Sequence, residues 1–237
     1  MTQIADRLTK VHCQIAAAAK AAQRQSQAIR LLAVSKTRQA DELRQAWACG
    51  QQEFGENYLQ EVLDKIEALK DLNIGWHFIG PLQSNKTRPI AESFDWVHSV
   101  DRFKIAQRLN DQRPGEMPPL NICLQVNISE EASKSGVLPA DLPTLAAKVA
   151  ALKNIRLRGL MAIPASSDDP EQQRKPFAQM NNLLKSLQQQ LPDQPLDTLS
   201  MGMSGDMDAA ILEGATIVRI GTALFGPRDY NSQLQQS

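Results

Sequence analysis

Residues 31–37 read Leu-Leu-Ala-Val-Ser-Lys-Thr (LLAVSKT), an apolar run that ends in two small hydroxyl residues and a lysine. Such a run reads as a buried strand that carries Ser35, Lys36 and Thr37 out at its C-terminal end. The pattern then repeats. Strands are predicted at Arg30–Ser35, Glu53–Glu56, Trp76–Ile79, Trp96–Ser99, Ile122–Ile128, Leu157–Ile163, Thr198–Met203 and Ile217–Ile220. Helical periodicity fills the gaps at Ala40–Cys49, Tyr58–Leu69, Lys86–Ser93, Phe103–Asn110, Ala140–Leu152, Pro170–Gln190 and Asp206–Glu213, and an Ala- and Gln-rich helix over Ile4–Gln25 precedes them all. Eight βα units in 237 residues match the count and size of a (β/α)8 TIM barrel. A doubly wound open sheet shows the same alternation, but eight strands and the lack of GxGxxG after the first strand favour the barrel.

Composition narrows the function classes. The chain carries 26 Lys+Arg against 26 Asp+Glu, a formal net charge of zero, which argues against nucleic acid or an anionic membrane as partner. Hydrophobic residues at 42% and charged residues at 22% predict a globular fold rather than disorder. Cys13, Cys49 and Cys123 are odd in number and widely spaced, so neither a disulfide framework nor a zinc cluster is expected, and a reducing compartment is. The apolar runs are too short to span a membrane, and MTQIADRLTK lacks the core of a signal peptide. A cytoplasmic chain follows as the expectation. The loops Arg113–Pro119 and Pro164–Pro170 are too short for linkers, and only the tail Gln233–Ser237 is compositionally biased, so residues 1–237 are expected to form a single domain.

In a barrel of this kind the βα loops at the C-terminal strand ends build the functional face. The polar groups predicted there are Lys36, Asn57, His77, Ser99 with Asp101, Asn127, Met161, the segment from Ser200 to Asp206, and Arg219 with Gly221 and Thr222. Lys36 matters most: in a partly desolvated mouth beside another cation its amine would lose its proton more easily and attack a carbonyl to form a Schiff base. A strand-end lysine that reaches out to solvent is the ordinary alternative. Ser204-Gly205-Asp206, between a strand and a helix start, and Gly221-Thr222 after the eighth strand stand where barrels of this type bind phosphate. Helix capping by Ser204 and a turn at Gly221 would explain each of them singly. Arg219 is either a structural ion-pair partner or a donor to a ring nitrogen, which it would keep unprotonated. His77 reads first as a buried structural histidine, Met161 as core, and Lys134 in the ASKSG loop as a solvated lysine or a phosphate or carbonyl contact. Gly80–Lys86 (GPLQSNK) either closes over a ligand or caps the next helix. No Walker A, HExxH or GxSxG sequence is present, nor a carboxylate cluster spaced for a metal.

Taken together these stretches resemble one family. LLAVSKT (31–37), FGENYLQE (54–61), WHFIGPLQSNK (76–86), SKSG (133–136), RGLMAI (158–163), LSMGMSGDMDAAI (199–211) and VRIGTALFGPRDY (218–230) are similar to the pyridoxal phosphate homeostasis protein family, whose fold is similar to the N-terminal barrel of alanine racemase. The resemblance covers nearly the whole chain. It implies that Lys36 carries pyridoxal 5′-phosphate as an internal aldimine, with Asn57 beside the ring. Ser204, Gly221 and Thr222 would hold the phosphate, Arg219 would face the pyridine nitrogen, and Lys134 would be a secondary site.

The function that follows is a non-enzymatic binder that buffers pyridoxal phosphate and hands it to apo-enzymes, acting as a monomer. Racemisation would need a base on each face of the substrate carbon. Tyr58, Tyr230, His12, His77 and His98 show no evident claim to the face opposite Lys36. Two alternatives stay open on the residues: a low-activity amino-acid racemase on the same lysine, and a cofactor-free Schiff-base aldolase acting on a sugar phosphate.

Overall fold

The first helix, α1 (Gln3–Ala21), is set by its ends and by one apolar stripe. Thr2 Oγ1 accepts from the Ala5 amide at 3.3 Å, and Ile4, Leu8, Val11, Ile15 and Ala19 are all buried at helical spacing. The helix stops short of the predicted Gln25 because Gln23 takes left-handed backbone at φ 55°, and a 3-10 turn at Ser26–Ala28 leads into the barrel. The structure, a computed structural model, describes residues 2–131 and 134–227. Ser133 of the SKSG stretch, residues 228–230 at the end of VRIGTALFGPRDY and the Gln-rich tail lie outside them.

Eight strands follow: β1 (Arg30–Val34), β2 (Glu53–Glu56), β3 (Gly75–Phe78), β4 (Trp96–Val100), β5 (Leu120–Gln125), β6 (Ile155–Met161), β7 (Thr198–Ser200) and β8 (Ile217–Ile220). All pair in parallel in chain order, and β1 also pairs with β8, so the sheet closes into a barrel and the open-sheet alternative is excluded. Between and after them run α2 (Ala40–Ala48), α3 (Leu59–Ala68), α4 (Thr87–Ser93), α5 (Phe103–Gln112), α6 (Leu142–Ala150), α7 (Pro170–Gln190), α8 (Met207–Leu212) and α9 (Thr222–Phe225). The short α9 carries too few residues to show a period, and the sequence reading had no element there. Strand β7 is half its predicted length: Met201 and Gly202 still exchange backbone hydrogen bonds with β8, but at Met203 the chain turns toward α8 and the amide donates to Asp206 instead.

Alternation along the strands builds two packed layers. Leu31, Ala33, Phe54, Phe78, Val97 and Leu124 join helix residues such as Leu43, Val62 and Ile105 in the core between barrel and helices. Inside the barrel, Trp96, Cys123 and Met161 pack as a separate cluster. None of the described helices is long and apolar enough to cross a membrane.

Candidate functional site

Strand β1 ends at Val34, and Lys36 stands two residues beyond it on a turn at the C-terminal mouth, half-buried. The next residue, Thr37, is a β-branched side chain at φ 65°, backbone that costs free energy unless its surroundings hold it. They do. Glu61 Oε1 accepts from the Thr37 amide at 2.6 Å, and Lys65 Nζ donates to the Ser35 carbonyl at 2.8 Å. Lys65 in turn pairs with Glu61 and with Glu56 at 2.8 Å, while Ser35 Oγ donates to Glu56 at 2.6 Å. Glu56 is fully buried, and burial pushes its carboxyl up against the opposing pull of Lys65 and Ser35. One buried network on β2 and α3 thus fixes the residues on both sides of Lys36.

Asn57 follows β2 directly, and its buried Oδ1 has no hydrogen-bond partner. The β3–α4 loop packs on it so closely that a Cβ at Gly80 would stand 2.2 Å from the Asn57 carbonyl oxygen, and only glycine fits. Ser99 Oγ pins that loop by donating to the Gly80 carbonyl.

Two polar turns complete this side of the mouth. After β7, Ser204 and Gly205 are exposed ahead of α8, a Cβ at Gly205 would meet nothing within 4 Å, and Asp206 ties the turn through the Met203 amide at 2.6 Å. After β8, Gly221 and Thr222 open α9. A Cβ at Gly221 would meet the Val34 carbonyl oxygen at 3.2 Å, so the glycine lets the β8–α9 turn lie against the end of β1, close to Lys36. Arg219 is buried, donating to Ser200 Oγ at 3.0 Å and to the Ala162 carbonyl at 2.9 Å. Among the described residues no carboxylate contacts it. Burial pushes its pKa down to about 10, with Asp206 opposing from a distance. Chemically, a lysine amine can condense with a carbonyl, a guanidinium can only donate, and the unpartnered Asn57 oxygen can accept a hydrogen bond.

The remaining predicted residues lie elsewhere. His77 is fully buried inside the barrel, stacked on Trp96 with ring centroids 5.4 Å apart, and does not line the mouth. Met161 packs beside it against Trp96 and Cys123. Lys134 pairs with Glu131 at 2.8 Å on the loop after β5, a loop held by Asn127, whose Nδ2 donates to the Glu131 and Lys134 carbonyls. An open cavity of about 650 Å³ lies between α1, α7 and the Ser204–Asp208 segment, bordering the turn after β7. Sequence reasoning passed over Glu61 and Lys65, although a signal existed, an i,i+4 Glu–Lys pair just after FGEN.

The alanine racemase N-terminal domain family matches residues 9–229. A pyridoxal phosphate homeostasis protein of Pseudomonas aeruginosa is 60% identical over 98% of this chain and 99% of its own length. The chain belongs to the pyridoxal phosphate homeostasis protein family. A relative of the same name from Escherichia coli K12 is 52% identical over 98% of this chain and all of its own. PipY of Synechococcus elongatus, solved with pyridoxal phosphate bound, superposes with a TM-score of 0.84 at 39% identity, covering 94% of this chain and all of that one. Among the described residues no group of acidic, histidine and cysteine side chains is placed to hold a metal.

Proposed function

We propose that this chain binds pyridoxal 5′-phosphate covalently at Lys36 and serves the homeostasis of that cofactor in the cytoplasm, buffering it and delivering it to apo-enzymes. The observation that carries the reading is the fixed turn at Lys36, held by Glu61 and Lys65 at the C-terminal end of β1. The names of the P. aeruginosa and E. coli relatives and the loaded PipY structure support it. When bound, the cofactor supplies an aldehyde that forms a reversible carbon–nitrogen double bond with amines. Lys36 provides the amine, and its turn holds Nζ at the mouth. Asn57 offers its unpartnered Oδ1 to a ring substituent, Arg219 donates toward the ring nitrogen, and Ser204, Gly221 and Thr222 bind the phosphate. Lys134, on its separate loop, is a second amine at which cofactor is exchanged.

Holding, rather than turnover, fits the placement of the acid–base groups. His77 and His98 are sealed inside the barrel, His12 faces solvent on α1, and Tyr58 is 55% exposed at the start of α3. Among the described residues none of these is fixed over the face opposite Lys36, which supports a carrier; we take the chain to work as a monomer, and Tyr230 lies outside the described residues. The test is transfer. Loaded protein mixed with an apo-aminotransferase restores its activity, and loaded protein alone leaves the optical rotation of L-alanine unchanged. Failure to restore the aminotransferase, or racemisation of the alanine, overturns the reading.

A further inference from the structure

The barrel interior holds a run of polar groups that cofactor holding does not require. At the N-terminal end of β2, Glu53 Oε1 is 3.7 Å from His77 Nε2. His77 Nδ1 is 2.9 Å from His98 Nε2, and His98 Nδ1 is 2.8 Å from Ser200 Oγ. Ser200 Oγ accepts from Arg219 Nη1 at 3.0 Å. His77, His98 and Ser200 are fully buried, and they span the barrel from its N-terminal end to the site at its C-terminal mouth.

We propose that the hydrogen-bonded run His77–His98–Ser200, oriented by the Glu53 carboxylate facing its far end, fixes the Arg219 guanidinium and sets its strength as a donor to the ligand at the mouth. The proposal rests on the reading of that mouth as a pyridoxal phosphate site. The four are positioning residues: they reach the ligand only through Arg219.

The charges at the two ends dictate the direction of the chain. Arg219 can only donate, so Ser200 accepts from it and turns its own O–H toward His98 Nδ1. An ionised Glu53 can only accept. Burial works against that charge, yet the carboxyl is held below its usual range, with Arg30 Nη1 donating to the same Oε1 at 2.9 Å. With a cation donating at one end and an anion accepting at the other, His98 Nε2–H points to His77 Nδ1, and His77 Nε2–H points to Glu53. The reverse order would set a histidine lone pair against the carboxylate. Burial pushes both imidazoles below their ordinary pKa, His98 furthest, so each carries one ring proton and the chain needs that proton on Nε2 in both. At 3.7 Å the Glu53 contact is too long for a hydrogen bond, so His77 Nε2 has no hydrogen-bond partner and Glu53 acts on it through charge alone, the weak joint of the run. Within the chain each donor polarises the next, so a loss at one end is felt at the other.

Two measurements on the full chain test this. Long-range ¹H–¹⁵N NMR of the cofactor-free protein reads the tautomers, and the chain requires neutral Nε2–H forms of both His77 and His98. An Nδ1–H tautomer, or a cation at neutral pH, overturns it. Titration with pyridoxal phosphate then compares wild type with Glu53→Gln and Ser200→Ala, each checked for an unchanged fold by circular dichroism. Both variants are expected to bind about 3- to 10-fold more weakly, with a displaced absorbance maximum, while borohydride still reduces the adduct at Lys36. Wild-type affinity and spectrum in Glu53→Gln, whose site lies at the far end of the barrel, overturns the coupling. A wild-type protein that binds no pyridoxal phosphate overturns the site reading instead, and the tautomers then judge the chain by themselves.

Discussion

Glu61 Oε1 accepts a 2.6 Å hydrogen bond from the amide of Thr37, so a carboxylate on α3 holds the residue next to Lys36 in left-handed backbone. A hydrogen bond to a charged acceptor contributes about 1.5–3 kcal/mol. Glu61→Ala is therefore expected to weaken pyridoxal phosphate binding by roughly tenfold, read by absorbance titration. Glycine takes left-handed backbone without strain, so adding Thr37→Gly should restore part of the lost affinity. Full affinity in Glu61→Ala would show that the turn holds itself.

Lys65 compensates the buried Glu56 charge at 2.8 Å. Lys65→Met leaves that carboxylate alone in the core, a loss of about 3–5 kcal/mol in unfolding free energy. The double variant Lys65→Met, Glu56→Gln should recover most of it, because a neutral amide needs no counter-ion. Urea denaturation of the three proteins decides the matter, and a double variant no more stable than the single one would contradict the assignment.

Acid sensitivity should trace to the barrel interior. His77 and His98 are fully buried, with pKa values lowered by burial foremost. Their folded values lie below the unfolded value near 6.5, so the stability they contribute is present above about pH 6.5 and is lost as pH falls toward the folded values. Each contributes a slope of up to ~1.4 kcal/mol per pH unit in that window. Glu53, Arg30, Asp95 and Arg219 are the charges acting on the pair. Glu56, with its carboxyl raised, acts in the opposite sense, so the informative quantity is the difference between proteins. His98→Asn should be less stable than wild type at neutral pH yet show a flatter decline toward pH ~5, measured by denaturation at several pH values. Parallel declines would contradict a neutral buried histidine.

The barrel and its mouth were legible because their signals are local. The eight apolar runs and the polar groups at their ends sit in adjacent residues, so LLAVSKT announces both β1 and Lys36. What stayed hidden depends on contacts across the sheet. Nothing near Glu53 in sequence points to His77, His98 or Ser200, which meet only when strands β2, β3, β4 and β7 close around one interior. His77, read first as a buried structural histidine and only secondarily as a site residue, is buried, its ring turned into the barrel. The positive φ of Thr37 was equally invisible, because a threonine there is chosen by Glu61 and not by its own preference.

The Gly221 turn makes a separate demand. A methyl group there would approach the Val34 carbonyl oxygen to 3.2 Å, forcing the β8–α9 turn away from β1. Gly221→Ala should cost about 1–2 kcal/mol of stability and reduce the preference for pyridoxal phosphate over pyridoxal, which lacks the phosphate. Competitive titration of the two ligands measures it. An unchanged ratio would place the phosphate elsewhere.

The central claim is the covalent role of Lys36. The most direct measurement is borohydride reduction of the protein mixed with pyridoxal phosphate, followed by peptide mass mapping of wild type and Lys36→Ala. The account predicts a reduced pyridoxyl adduct on the peptide that contains Lys36 in wild type, and loss of that adduct and of its absorbance band in Lys36→Ala. An adduct mainly at Lys134 or another lysine, or an undiminished band in Lys36→Ala, would contradict it.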